Sequence, residues 1–161
     1  MQLFIPNEYD ALASVLVHRP GDEIDRLTHD NMKKFRFEDM PFLTGMQEEH
    51  DEFVGEMVDR DIRVHYLEVL LLEMLRKVPV AKAALIQQVC AAEQCLAIMP
   101  DLLNEKTFSD ELLVRTFFRG LTNQEYYDFT GRPALPGSTK HSFLLLPIPN
   151  AYFSRDPAVV V

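Results

Sequence analysis

The sequence predicts an α/β (α+β) fold in which a helical segment is inserted between strand-forming stretches. Strand-like runs lie near both ends, at 11–20 and at 142–148. Residues 46–61 have a helical period and are followed by an alternating strand-like run at 62–70. The block at 68–129 is rich in Leu, Ala, Glu and Gln, which favour helices. Strands at both ends with helices between them are typical of a helical insertion in an α/β domain.

The first half of the chain predicts a β-α-β unit. The run ALASVLVHRP ends at Pro20 and Gly21, which indicates a strand followed by a turn. Apolar residues recur on one face of the following helix, and these are Met46, Phe53, Val54, Met57 and Val58. The segment IRVHYLEVL at 62–70 then alternates as a strand does. A crossover of this kind implies that the two strands are parallel.

The helical block is expected to contain several helices, broken at Pro79 and Pro100. Ser109 has the residue type of a helix N-cap, and Gly120 is suited to ending that helix. Strand character returns at 142–148 and 156–161. We expect the strands near 14–19, 62–67 and 142–147 to form one sheet, with the helical block standing apart. The predicted divisions are a first module at 1–67, a helical insertion with its connecting loop at 68–140, and return strands at 141–161.

Composition limits the class of protein. The 161 residues are 47% hydrophobic and carry a net charge of −9, which fits one globular unit. This charge argues against a nucleic-acid surface or an anionic membrane surface, and it favours a cationic small substrate. No basic leader and no apolar run of about 18 residues occurs, so we expect a cytoplasmic protein without a membrane partner.

The cysteines and histidines predict no metal site and no cofactor. Cys90 and Cys95 are the only cysteines, and on one helix they would lie about 140° apart, so we expect both to serve packing. The histidines show no spacing typical of a metal clip. His18 and His65 lie in strand-like runs and are expected to be packed, whereas His29 and His50 are expected to face solvent from helix or cap positions.

The end of the chain, PIPNAYFSRDPAVVV, places a polar cluster between two apolar runs. One interpretation is a site, because a fixed carboxylate such as Asp156 can hold a planar guanidinium at two points, while the ring of Phe153 packs against the same cation. The other interpretation is a turn, capped by Asn150 and Asp156, with Arg155 paired to Asp156. The pattern leaves both open.

Three ordered motifs resemble the N-terminal part of the arginine deiminase family, within the guanidino-group-modifying enzyme superfamily. They are VLVHRPGDEIDRLT at 15–28, FEDM with QEEHDEFV within 37–54, and PIPNAYFSRDP at 147–157. The resemblance implies a pentein-type β/α propeller of five modules, with a helical bundle inserted after the first. It also implies hydrolysis of L-arginine to L-citrulline and ammonia through a thiouronium intermediate on a cysteine.

The resemblance also implies which residues contact the substrate. Asp156 resembles the carboxylate that holds the guanidinium, and Asn150 and Phe153 resemble residues that line the pocket. Arg36 stands where the family usually has a pocket-lining Leu, so the size and charge of the pocket are expected to differ.

The family's nucleophilic Cys and its general-acid His belong to modules beyond the matched part, so this chain alone is expected to be inactive. The apolar stretch at 158–161 predicts association, either as a homo-oligomer or with a C-terminal part. The alternative is a catalytically dead module that binds guanidino groups or regulates. A helical interaction protein unrelated to arginine would require the three motifs to be coincidence.

Overall fold

The computed structural model describes residue 7, residues 9–132, residue 139 and residues 141–154. The described part mixes helices with short strands. No helix within these ranges is long and apolar enough to cross a membrane. The elements in chain order are β1 (Ser14–Val17), α1 (Leu43–Val58), β2 (Arg63–Tyr66), α2 (Leu67–Lys77), α3 (Pro79–Ala92), α4 (Met99–Leu102), α5 (Asp110–Arg119), β3 (Leu121–Thr122), α6 (Asn123–Thr130) and β4 (Phe143–Leu145), with short 3₁₀ turns at Ile24–Arg26, Met32–Phe35 and Leu96–Ile98.

The predicted β-α-β unit is confirmed. β1 and β2 pair in parallel, with Val17 opposite Tyr66, and α1 lies between them in the chain. Because both strands run in the same direction, their carboxyl ends meet at one edge. The residues that follow them, His18 and Glu68, therefore come close together.

The second strand is shorter than the sequence predicted. It ends at Tyr66, and α2 begins at Leu67, so the expected strand over 67–70 is wrong. The segment LEVLLLEMLRK carries leucines at helical spacing, and Leu75 is buried against the helical block. Packing of this helical face outweighs the strand alternation that ends at Tyr66.

The expectation of one three-stranded sheet is wrong for the described residues. β4 pairs antiparallel with β3, in a two-stranded sheet separate from the sheet of β1 and β2. β3 has only two residues, directly after the turn at Gly120, which is too short to show a period in the sequence. The predicted strand at 142–148 is reduced to three residues, and the one at 156–161 lies outside the described residues.

The helical block does not stand apart from the return strand. Leu144 and Leu145 of β4 belong to the same buried cluster as residues from α2, α3 and α5. The main-chain N–H of Ile148 also donates to the carbonyl of Phe118 at 2.8 Å. β4 is therefore part of the wall of the helical core, because its leucines cover the apolar face of the helices.

The predicted helix boundaries within the block are confirmed. Pro79 and Pro100 lie in the first turns of α3 and α4, where a missing N–H costs nothing. The Ser109 side chain accepts from the N–H of Leu112, and Gly120 ends α5 with a φ of 78°. A Cβ at Gly120 would lie 2.7 Å from the carbonyl oxygen of Leu145, so this position requires glycine for space as well as for backbone angle.

The two thiols are buried, as expected, but they do not lie on opposite faces of one helix. α3 ends at Ala92, and the left-handed conformation of Gln94 turns the chain back, so that the N–H of Cys95 donates to the carbonyl of Cys90 at 2.8 Å. The thiols hydrogen-bond to each other, and this contact together with burial raises the pKa of Cys95. Both therefore serve packing within the helical core.

Candidate functional site

A buried histidine lies where the two parallel strands end. His18 follows β1 directly and is 2% exposed. Its Nε2 lies 2.9 Å from Oε1 of Glu23, and its Nδ1 makes a 2.7 Å ion-pair contact with Oε1 of Glu68. The ring stacks on Phe118 of α5 with 4.6 Å between centroids. One imidazole is thus held between two carboxylates and an aromatic ring from the helical block.

The turn after β1 fixes the first of these carboxylates. The N–H of Gly21 donates to Oε1 of Glu23 at 2.6 Å, and the N–H of Ile24 donates to the carbonyl of Gly21 at 3.0 Å. Burial alone would lower the pKa of His18, but its contacts with Glu23 and Glu68 outweigh burial and raise the pKa to about 9. His18 is therefore protonated at neutral pH.

The second polar region is the turn at residues 148–154, with which the described part of the chain ends. The N–H of Ala151 donates to the carbonyl of Ile148, and the N–H of Phe153 donates to the carbonyl of Asn150. Two side-chain bonds attach this turn to the first half of the chain. Nδ2 of Asn150 donates to the carbonyl of Phe35 at 3.1 Å, and Oγ of Ser154 donates to the carbonyl of Leu16 at 2.8 Å.

The bond from Asn150 to Phe35 brings Asn150 near a second predicted site residue, Arg36. Arg36 follows Phe35 and ends the short 3₁₀ turn with a φ of 66°. A left-handed non-glycine residue is uncommon and often marks a turn with a local role. Asn150 therefore lies against the residue next to Arg36. Arg36, Asn150 and Phe153 are all exposed, and the ring of Phe153 packs on Tyr152 with 4.0 Å between centroids. Asp156 and Arg155 lie outside the described residues.

The histidine expectations have a mixed outcome. His18 is packed and hydrogen-bonded, as predicted, and His29 is exposed. The expectation for His50 is wrong, because its side chain is only 11% exposed and its ring lies 6.3 Å from that of Tyr66. Burial lowers the pKa of His50. No group of three His, Cys, Asp or Glu side chains suited to a metal ion occurs among the described residues.

Sequence reasoning missed the cluster of His18, Glu23 and Glu68. The signal was present, because polar residues directly after two parallel strands are brought to the same edge of a sheet. The parallel pairing was predicted, but the end of β2 was placed too far along the chain. A strand that runs to residue 70 would place Glu68 inside the strand. The observed end at Tyr66 places it at the carboxyl edge of the sheet, beside His18.

The fold and the two polar regions define a mixed helix-and-sheet protein with an exposed polar surface, where the terminal motif meets the turn at Phe35 and Arg36. A sequence model of the arginine deiminase family matches residues 33–161, which include both of these segments. The chain belongs to the arginine deiminase family.

Individual relatives agree with this family. The chain is 35% identical to an arginine deiminase of Listeria welshimeri over 164 aligned positions, which cover 99% of the chain and 40% of that relative. An arginine deiminase of Pediococcus pentosaceus is 30% identical, with 96% of the chain and 39% of the relative covered. One of Limosilactobacillus fermentum is 31% identical with the same coverage. The chain thus spans about two fifths of the length of the curated relatives it matches.

Proposed function

We propose that this chain is the N-terminal part of an arginine deiminase, which hydrolyses L-arginine to L-citrulline and ammonia. The observation that carries the proposal is the hydrogen bond from Asn150 to the carbonyl of Phe35. It joins two segments of the family match that are distant in sequence, and Asn150 and Arg36 are both expected to line the arginine pocket.

In this proposal the residues of this chain hold and orient the arginine. A C-terminal part supplies the nucleophile that reacts with it. Asp156 accepts hydrogen bonds from two guanidinium N–H groups and so orients the carbon that is attacked. Asn150 and Phe153 line the same pocket, and Arg36 sets its charge. A cysteine from the second part attacks the guanidinium carbon, ammonia leaves, and water then releases citrulline from the thiouronium.

Neither cysteine of this chain is suited to be that nucleophile. Cys90 and Cys95 are 0% and 1% exposed, and both lie in the helical core. A nucleophilic thiol requires access to substrate, which burial denies to both residues. The hydrogen bond between them lowers the pKa of Cys90 and raises that of Cys95, so burial alone excludes Cys90 from this role. The chain alone is therefore expected to release neither ammonia nor citrulline from arginine.

The architecture we propose is the first module of a pentein-type propeller at 1–67, a helical insertion with its connecting loop at 68–140 and a return segment at 141–161. The parallel pair of β1 and β2 with α1 supports the first module. The pairing of β4 with β3 gives no support to a third strand in that module. We further propose a cytoplasmic enzyme, acting as a homo-oligomer or through association with a C-terminal part.

The test is a fusion enzyme, in which this chain is joined to the unmatched remainder of the Listeria welshimeri relative. Citrulline formation from L-arginine is measured for the chain and for the fusion enzyme. We expect no turnover from the chain and turnover from the fusion enzyme. A folded fusion enzyme that makes no citrulline contradicts the proposal.

The burial of both thiols also favours a second candidate, a catalytically dead module that binds guanidino groups or regulates. This candidate predicts that a folded fusion enzyme binds arginine, measured by equilibrium dialysis, without forming citrulline. Turnover by the fusion enzyme contradicts it.

A further inference from the structure

A cavity of about 370 Å³ lies beside His18, between the turn after β1 and the helices α2 and α5. This size falls in the range of about 300–1,000 Å³ that is typical of small-molecule pockets. The cavity lies at the edge where β1 and β2 end, and the residues of the Asn150 turn do not line it. It is therefore a different place from the surface on which the proposed function depends.

One part of the cavity wall has an excess of negative charge. The single positive charge of His18 is shared by two carboxylates, those of Glu23 and Glu68. Glu23 is buried and also accepts from a main-chain N–H, whereas the Glu68 side chain is 31% exposed. Oε2 of Glu68 has no hydrogen-bond partner among the described residues. This oxygen is shielded from solvent, but because the Glu68 side chain is partly exposed, a rotation of the carboxylate would present the oxygen to a cation in the cavity.

An excess of positive charge lies at Arg119, in another part of the wall, and behind it at Arg26 and Glu125, which do not line the cavity. Glu125 lies between two guanidinium groups, because both Arg26 and Arg119 contact its Oε1. Although burial opposes it, these contacts hold the pKa of Glu125 below its usual range, so Glu125 carries one negative charge against two positive charges. Arg119 lines the cavity, and its Nε has no hydrogen-bond partner within the described part of the chain.

The other charges at the cavity are paired one to one. Nε of Arg115 donates to Asp22 at 2.7 Å. Glu111 pairs with Arg76. The apolar part of the lining comes from α2 and α5, through Val69, Leu72, Val114 and Phe118. An occupant would therefore meet an unmatched carboxylate, an unmatched guanidinium and an apolar surface.

We propose that this cavity binds a zwitterionic α-amino acid with an apolar side chain. The ammonium group donates to Glu68, the carboxylate accepts from Arg119, and the side chain packs on the apolar lining. Each end of the ligand offsets a charge that the protein leaves in excess, and charge-assisted hydrogen bonds are the stronger kind. A simple cation or a simple anion would satisfy only one end.

The first experiment tests the need for both charges by calorimetric titration of the chain. L-leucine is compared with isoamylamine, which lacks the carboxylate, and with isocaproate, which lacks the ammonium group. We expect saturable binding of leucine, and affinity at least about tenfold weaker for each of the other two. No saturable binding of leucine at millimolar concentration overturns the proposal, and so does equal binding of leucine and isoamylamine.

The second experiment removes one charge from the wall. Glu68→Gln keeps the shape of the side chain and is expected to weaken leucine binding about tenfold or more. The matched control is Glu73→Gln, on the same helix, because Glu73 is exposed and its ion-pair partner among the described residues is Lys77 at 2.7 Å. Unchanged affinity in a folded Glu68→Gln chain overturns the proposal. If a thermal melt shows that this variant is unfolded, the ligand series on the unmodified chain decides alone.

Discussion

The side chain of Asn150 donates a 3.1 Å hydrogen bond to the main-chain carbonyl of Phe35, between residues 115 positions apart. This contact attaches the terminal turn to the segment that contains Arg36. Two motifs that the sequence presents far apart therefore share one surface. The contact has a structural role and is also the basis of the proposed arginine pocket, and these two roles can be separated by experiment.

Replacing Asn150 with Ala is expected to lower the free energy of unfolding by about 1 kcal/mol or less, because the lost hydrogen bond is exposed. In the fusion enzyme the same change should raise the KM for arginine. Ser154→Ala is the matched control, since it loses the hydrogen bond to Leu16 from the same turn without a predicted contact to arginine. Denaturant unfolding and steady-state kinetics measure both effects. Equal KM values for the two variants would show that Asn150 stabilises the turn and does not contact arginine.

The protonation of His18 predicts a stability that depends on pH. The pKa of this ring is about 9 in the folded chain and about 6.5 in an unfolded one. Because the folded pKa is the higher one, the stabilisation is fully present below pH 6.5 and is lost as the pH rises through 9. The free energy of unfolding should fall by about 3 kcal/mol across this window. Urea denaturation at several pH values measures it.

The control for this prediction uses another histidine. His18→Gln should remove most of the pH dependence and should destabilise the chain at pH 7, because Glu23 then stays buried without its counter-charge. His29→Gln should keep the dependence, since His29 is exposed. A wild-type chain with flat stability between pH 6.5 and 9 would contradict the ion-pair geometry at His18.

Gly120 is expected to tolerate no side chain. Gly120→Ala places a Cβ 2.7 Å from the carbonyl oxygen of Leu145 and from the nitrogen of Pro147, at a φ of 78°. The free energy of unfolding should fall by about 3 kcal/mol or more. Gly131→Ala is the matched control, because its φ is 68° but, its chain neighbours aside, no atom of the described residues lies within 4 Å of the added Cβ, and it should cost only about 1 kcal/mol. Chemical denaturation compares them, and equal losses would show that backbone angle alone matters.

The two cysteines should be unreactive in the folded chain. Both thiols are buried, and the hydrogen bond with Cys90 together with burial raises the pKa of Cys95. Since the thiolate is the reactive form, a thiol-specific disulfide reagent at pH 8 should modify the native chain slowly and the urea-unfolded chain at once. Rapid reaction of either thiol in the native chain would contradict the packing role.

The sequence predicted those parts of the fold that follow from local patterns. The helical period of 46–61 and the cap at Ser109 are local; the helix is present, although it runs from Leu43 to Val58, and the cap is confirmed. The end of β2 and the partner of β4 depend on which apolar face becomes buried by distant parts of the chain. A short stretch of sequence does not contain that information. β4 pairs with β3 through Phe143 and Leu145, while Leu144 and Leu145 cover the helical core, and β3 itself has only two residues.

The candidate sites were predictable to different degrees. The residue types of the terminal motif identified Asn150 and Phe153, but the contact with Phe35 joins positions whose distance in space is fixed only by the fold. The cluster at His18 needed the correct end of β2. Whether an ionisable residue is buried with a partner is a tertiary property, and Glu68 has no sequence feature that distinguishes it from the exposed Glu73.

The last prediction concerns Asp156, the residue expected to hold the substrate guanidinium. In the fusion enzyme, Asp156→Asn keeps the side-chain shape but removes the negative charge that orients the reacting carbon. Turnover should fall about a hundredfold or more, since the lost interaction acts on orientation and on the developing charge. If Asp156 serves the substrate, the melting temperature should stay close to that of the wild type. If Asp156 instead caps the turn that Asn150 and Ser154 also help to hold, its loss weakens that turn. The melting temperature should then fall together with activity. Asp59→Asn, at the exposed end of α1, is the control and should change neither quantity. Citrulline formation and a thermal melt of the three proteins separate the outcomes, and near-normal turnover in a folded Asp156→Asn enzyme would exclude this residue from the arginine site.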